Sequence, residues 1–160
     1  MTLTIQFRKG LGLAALIILI DQASKWWILS TVMNPPRVIE VTPFFNLVMA
    51  WNQGVSFGML NSGGWLAAWG LPIATAAIIL GLGVWLARAD KLVTALGLGL
   101  IIGGALGNLI DRLRFGAVAD FLDFHWAGYH WPAFNAADSA IFIGAVALVL
   151  ETLFESREKQ

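Results

Sequence analysis

Long uncharged stretches limit what this chain can become more than any other feature. No Asp, Glu, Lys or Arg occurs from Val41 to Ala87, or again from Leu92 to Ile110. A helix in water needs a polar face, whereas a helix in lipid does not, and about 20 apolar residues cross a bilayer core of ~30 Å. Only 12% of the residues are charged, against about 25% in a soluble domain, so an α-helical integral membrane protein is expected. The formal net charge is zero, which gives no reason to expect nucleic acid. With no Cys, disulfides, thiolate zinc sites and a thiol nucleophile are excluded. Two His residues, 125 and 130, are too few for a His-rich metal centre, although carboxylate ligation stays open.

The apolar segments predict a single membrane domain, 1–160, with four transmembrane helices at about 10–29, 65–87, 92–112 and 136–154. The first could pass for a secretory signal, since Arg8 and Lys9 precede an apolar run. Asp21, however, falls where a cleavage site wants a small residue, so a retained span is expected. Pro35 and Pro36 break the chain after it. Two short β-rich stretches follow, Val38–Val41 and Phe44–Val48, inside a loop from Thr31 to Gly64 expected to form a small sheet on the membrane surface. Pro72 lies inside the second span, where it is tolerated. Gly99, Gly103 and Gly107 form a small-residue stripe on the third, which lets another helix approach. Six basic residues (Arg8, Lys9, Arg88, Lys91, Arg157, Lys159) fall on one side of four alternating spans, and Lys25, Arg37, Arg112 and Arg114 on the other. That bias places both termini in the cytoplasm. Trp residues cluster near the ends of the apolar runs, where an interfacial belt wants them.

Acidic residues beside such segments are expensive, and each is a functional candidate by default. Asp120, in Val118-Ala119-Asp120-Phe121, and Asp138, in Phe134-Asn135-Ala136-Ala137-Asp138-Ser139, bracket one aromatic loop. Two carboxylates that meet cannot both ionise easily, so one holds a proton and the pair can work as acid and base. Each also has a plainer reading. Asp120 could be a loop acid near an interface, and Asp138 could occupy the third helical position after an Asn135 N-cap, as in a capping box. Asp21 and Lys25 lie one helical turn apart, a spacing that suits mutual neutralisation. Asn108, Asp111 and Arg112 gather at the end of the third span and read as a structural hydrogen-bond network. Asn52 could cap a turn or bind a substrate backbone.

Taken in order, five blocks of this chain resemble the lipoprotein signal peptidase (signal peptidase II) family of membrane aspartyl proteases from end to end. They are Asp21-Gln22-Ala23-Ser24-Lys25, Asn52-Gln53-Gly54-Val55-Ser56-Phe57, Gly103 to Arg112, Val118 to Phe121, and Phe134 to Ser139. The resemblance implies a catalytic pair at Asp120 and Asp138. It implies supporting or substrate-binding roles for Asp21, Lys25, Asn52, Asn108, Asp111, Arg112 and Asn135. It further implies an extracytoplasmic β-rich cradle at 31–64, a flap loop at 114–131, no cofactor and no metal. The expected substrate is a prolipoprotein bearing diacylglycerol on its lipobox Cys, cut just before that Cys. The expected setting is the bacterial cytoplasmic (inner) membrane, with membrane lipid as a partner, the active site near the outer face and a monomeric enzyme. The family often has Thr where Gln53 stands and Val or a similar residue where Ala119 stands. Neither departure touches a carboxylate. A proton-coupled carrier would also use membrane acids, but no inverted repeat is evident. A proteolipid-like assembly subunit would account for the Gly stripe but not for two acids around one loop.

Overall fold

The computed structural model describes residues 4–54 and 65–158. Among the described residues, four helices are long and apolar enough to cross a membrane. These are α1 (Ile5–Trp27), α2 (Trp65–Arg88), α3 (Leu92–Phe115) and α4 (Ala136–Glu158). Between α1 and α2 run β1 (Ile39–Thr42) and β2 (Phe45–Asn52), and between α3 and α4 run β3 (Val118–Trp126) and β4 (Tyr129–His130). Residues 55–64, which include Val55, Ser56 and Phe57 of the second block, lie outside the described residues.

Three boundaries differ from the sequence expectation, each for a local reason. Helix α1 starts before Arg8 and Lys9 because the Thr4 side chain accepts the Phe7 N–H at 3.1 Å and caps the first turn. At its other end it loosens into a π-helical turn, Ile28–Val32. Helix α3 runs past Arg112 to Phe115 and stops where Gly116 takes a left-handed conformation, φ 73°, and donates its N–H to the Arg112 carbonyl. The third difference is the largest. Most of the segment 114–131 is strand, because β3 and β4 form a hairpin within it, closed by Ala127 and Gly128, both with positive φ. β3 is an interior strand of the antiparallel sheet, whose order is β1-β2-β3-β4. From Val118 to Asp123 its residues are buried apart from the half-buried Leu122, so side chains on both faces of the strand are covered.

Helix α3 is the axis of the bundle, with α1 and α4 packed along it. The glycine stripe explains how close they come. A Cβ at Gly103 would lie 2.7 Å from the Ala14 carbonyl oxygen of α1, and one at Gly104 would run into the Ala137 carbonyl oxygen of α4. Small side chains thus let two backbones touch α3 on neighbouring faces about 100° apart, which is how helices gain contact where lipid removes the hydrophobic drive. The apolar core behind this contact is Ala14, Leu86, Ala95, Leu98 and Ile102. The outer surface is as apolar as the core, with Leu80, Phe142, Val149 and Leu153 all exposed, as lipid-facing helices require.

The sheet is joined to the bundle by a second pairing. Phe134, just before α4, forms a bridge with Leu122, exchanging hydrogen bonds of 2.9 and 3.0 Å. That bridge fixes the start of α4 against the middle of β3.

Candidate active site

Two features of backbone geometry bring the acids together. The register of β2 on β3 slips by one between Leu47 and Ala50, a bulge. On its far side Asn46 faces Asp123, and on its near side Asn52 pairs with Val118, diagonally across from Asp120. A strand alternates faces, so without the extra residue Asn46 and Asn52 could not serve acids of opposite parity. The second feature is the Phe134–Leu122 bridge, which sets Asn135 beside Asp120.

Asp120 is almost fully buried and accepts from two amides. Asn52 Nδ2 donates to its Oδ2 at 3.0 Å and Asn135 Nδ2 to its Oδ1 at 2.7 Å. Asn52 also accepts the Gly54 N–H at 2.8 Å, so it caps a turn while holding the carboxyl. Asp138 occupies the capping-box position. Its N–H donates to Asn135 Oδ1 at 3.0 Å, its Oδ2 accepts the Asn135 N–H at 3.2 Å, and its Oδ1 accepts from Asn108 Nδ2 at 2.7 Å. The capping reading of Asp138 is therefore correct as geometry, and it does not exclude chemistry. Asn135 joins the pair, bonding Asp120 with its amide nitrogen and the Asp138 backbone with its amide oxygen.

Burial pushes the Asp120 carboxyl up from 3.8 to about 6; the Asn52 hydrogen bond opposes this and the nearby Asp138 charge adds to it. A testable consequence follows by linkage. Because the folded protein binds this proton more tightly than the unfolded chain, Asp120 contributes stability that is present below pH 3.8 and lost as pH rises through about 6. The rise corresponds to on the order of 2–3 kcal/mol. Unfolding midpoints in detergent should therefore drop for the wild type relative to Asp120→Asn between pH 4 and pH 7, whatever constant cost the Asn carries. Parallel curves would show that burial does not penalise this carboxylate.

Behind the pair lies a charged network buried between α1 and α3. Lys25 Nζ donates to Asp21 Oδ2 at 2.9 Å and to Asn108 Oδ1 at 3.0 Å and forms an ion pair with Asp111 Oδ2 at 2.8 Å, so the buried cation is met by two carboxylates and an amide oxygen. Asp21 Oδ1 accepts the Ala137 N–H at 3.1 Å, satisfying a free donor at the start of α4, and Asp111 Oδ2 accepts the Ala119 N–H at 3.2 Å. The network thus grips the residue before each candidate acid.

Asp21, Lys25, Asn52, Asn108, Asp111, Asn135, Asp120 and Asp138 form one connected set. Arg112 departs from it. Successive residues on a helix point about 100° apart, so when Asp111 faces Lys25 its neighbour cannot. Arg112 forms no salt bridge among the described residues; its guanidinium lies beside Gly54, where an added Cβ would be 3.5 Å from Nη2.

Two contributors were not assigned from the sequence. The Gln22 amide donates to Asp111 Oδ1 at 3.0 Å, Asp21 Oδ2 at 3.1 Å and the Gly107 carbonyl at 3.2 Å, yet nothing in its spacing marks it beyond its place in the Asp21–Lys25 block. The other is Asp123, which accepts from Asn46 Nδ2 at 3.0 Å and contacts His130 Nδ1 at 2.9 Å. Burial works to raise its carboxyl, but the His130 and Asn46 hydrogen bonds outweigh that and hold it below the usual carboxylate range. This cluster secures the hairpin to β2 and lies outside the connected set around Asp120. Beside Asp138 an apolar cavity of about 370 Å³ opens between Trp131, Phe134, Phe142 and Ile143, with Ser139 on its wall. Phe142 is 70% exposed, so the cavity opens toward lipid.

Most of the chain is similar to known proteins. Residues 13–154 match the family described as Signal peptidase (SPase) II. The chain is 48% identical over 148 residues to the lipoprotein signal peptidase of Ralstonia nicotianae, covering 89% of this chain and 83% of that protein. It is 43% identical over 150 residues to that of Methylorubrum extorquens, covering 92% and 86%. A bacterial membrane enzyme solved by the in meso method at 1.9 Å resolution superposes with a TM-score of 0.78 at 34% identity, covering 91% of this chain and 92% of the other. A second, at 2.3 Å, gives 0.79 at 31% identity over 95% and 92%.

Proposed function

The chain belongs to the signal peptidase II family, and on that premise we propose that it removes signal peptides from diacylglyceryl-modified prolipoproteins by aspartic catalysis, cutting just before the lipidated Cys. The observation that carries the reading is the pair of carboxylates that both accept hydrogen bonds from Asn135, Asp120 from its side-chain amide and Asp138 from its backbone N–H, beside a cavity open to lipid. Relatives are named lipoprotein signal peptidases, and this geometry supports the same work here.

In the proposed reaction one carboxylate of the pair takes a proton from water as the water oxygen attacks the scissile carbonyl carbon. The other, protonated, carboxyl gives its proton to the carbonyl oxygen. The tetrahedral diol then collapses: the C–N bond breaks, the amine of the lipidated Cys leaves with a proton from the first carboxyl, and the diol returns one to the second. No covalent intermediate is needed and the pair ends as it began. The Asp120 carboxyl, pushed up to about 6, suits a group that shares a proton near neutral pH. Asn52, Asn108 and Asn135 hold the two side chains in place from strand and helix ends, which makes the positions precise without blocking the cavity.

Lateral entry fits the same geometry. A signal peptide is an apolar helix, and one arriving along Phe142 and Ile143 of α4 would bring its end to Asp138 while acyl chains stay in the bilayer. The β2–β3 sheet would then lie over the cleavage site as a cradle. The basic residues of the α1 start and the α2–α3 turn, opposite the sheet, support cytoplasmic termini in a bacterial inner membrane and a site at the outer face.

The test is cleavage by the purified protein in detergent or nanodiscs, comparing a diacylglyceryl prolipoprotein with the same precursor unmodified. Release of the signal peptide from the lipidated precursor, and little or none from the unmodified one, is expected. Equal cleavage of both would remove the lipid from the substrate definition, and cleavage of neither would remove the proposal.

A further inference from the structure

A second cavity lies on the other side of the Lys25 network, between the C-terminal ends of α1 and α3. It has a volume of about 290 Å³ and is lined by Gln22 and Trp26 of α1, Leu29 and Ser30 of the π-helical turn after it, and Arg114 and Phe115 of α3. Its inner wall is Lys25 and Asp111. Those two charges are already spent on each other, at 2.8 Å, and Gln22 holds the remaining Asp111 oxygen. Arg114 is different. It is exposed, forms no salt bridge among the described residues, and lies across the Phe115 ring with its Cζ 4.9 Å from the centroid. The cavity therefore brings an uncompensated cation into one lining with Trp26, Leu29, Ser30 and Phe115.

Its position decides what such a combination can hold. Both helices are membrane spans, and these ends lie on the sheet side of the bundle, at the depth where one leaflet's headgroups meet its acyl chains. Trp26 is 69% exposed there, an amphipathic ring of the kind that sits at headgroup level. A guanidinium matches phosphate oxygens through paired N–H donors. A cavity of this size admits a glycerophosphate group but not its chains, which would continue over the exposed faces of α1 and α3.

We infer that the groove between the ends of α1 and α3 is a binding site for a phospholipid of the sheet-side leaflet, its phosphate on Arg114 and its glycerol region against Trp26 and Phe115. The site is separate from the Asp120–Asp138 pair and does not depend on the reaction proposed above. Balancing the dipole at the end of α3 would use the Arg114 charge as well, but that role needs no cavity and no aromatic partner.

The experiment is a titration of the delipidated protein in detergent, followed by native mass spectrometry, with phosphatidylglycerol as the probe. Diacylglycerol with the same chains and inorganic phosphate are the other arms. One phosphatidylglycerol should be retained more tightly than diacylglycerol, and inorganic phosphate should not displace it. Arg114→Gln should weaken retention by about ten-fold, the loss of one charge-assisted contact, and Arg114→Lys should restore part of it. Arg88→Gln, at the opposite membrane face, should change nothing. Unaltered retention by Arg114→Gln, or an equal loss with Arg88→Gln, would mean only annular lipid and overturn the site. Full displacement by phosphate would make it an inorganic-anion site and overturn the lipid.

Discussion

Asp138→Asn should abolish turnover on a lipidated precursor, lowering it by on the order of 10³-fold or more, while the protein still inserts and folds. The two roles of Asp138 predict different things for this variant. As a capping residue it is replaceable, because Asn also serves helix N-termini, and the expected cost is about 1 kcal/mol. The cost is not zero here: both Asp138 oxygens accept, from Asn108 Nδ2 and the Asn135 N–H, and an Asn offers one oxygen only. As a proton donor and acceptor it has no substitute, and general acid–base catalysis alone accounts for about 10²–10⁴ in rate. Asp120→Asn should fail equally, and the double variant should be no worse than either single one, since groups that act as a unit are non-additive. The measurements are cleavage rate, substrate binding and unfolding midpoint on the same preparations. A well-folded Asp138→Asn protein with more than a tenth of wild-type turnover would end the assignment of the pair. Loss of binding and folding together would instead place Asp138 in the architecture alone.

Lys25→Met should be the most destabilising single change in the molecule, costing about 3–5 kcal/mol, because it leaves Asp21 and Asp111 buried without their cation. Lys25 is buried on a helix that faces lipid, so no water can cheaply replace its two hydrogen bonds and its ion pair with Asp111. Asp111→Asn added to Lys25→Met should recover part of the loss by removing one stranded charge. Activity should fall with folded yield and not with substrate affinity, because Lys25 bonds neither acid of the pair and reaches them through Asn108 and through the Asp21 and Asp111 carboxylates. The check is the unfolding midpoint in detergent for the single and double variants. A Lys25→Met protein as stable as wild type but with weakened substrate binding would turn Lys25 from a structural cation into a substrate contact.

The long apolar segments determine the number of spans and their approximate limits, because a bilayer accepts little else and the required length is fixed by its thickness. The glycines of α3 announce a close helix contact for a similar reason: only the absence of a side chain permits it. The residues of the connected set were also legible, as polar groups in apolar surroundings and as blocks shared with a family. Helix ends were less so, since Thr4 and Gly116 act through a single hydrogen bond or a single backbone angle.

What the sequence by itself could not decide is which polar residues meet. Asp120 and Asp138 are separated by an aromatic hairpin, and they converge because Phe134 bridges Leu122 and because a bulge in the β2–β3 pairing turns Asn52 toward Asp120. The segment 114–131, read as a loop, is mostly strand, because its backbone donors find partners on β2, a segment distant in sequence. Asp111 and Arg112 stand side by side in the chain, yet only Asp111 joins Lys25, since the helix turns about 100° per residue and α1 lies on one side. Local composition fixes which groups are too costly to leave in lipid unpaired. Only the packing of α1, α4 and the sheet around α3 fixes their partners, because hydrogen bonds depend on distances of a few tenths of an ångström that no spacing along a chain encodes.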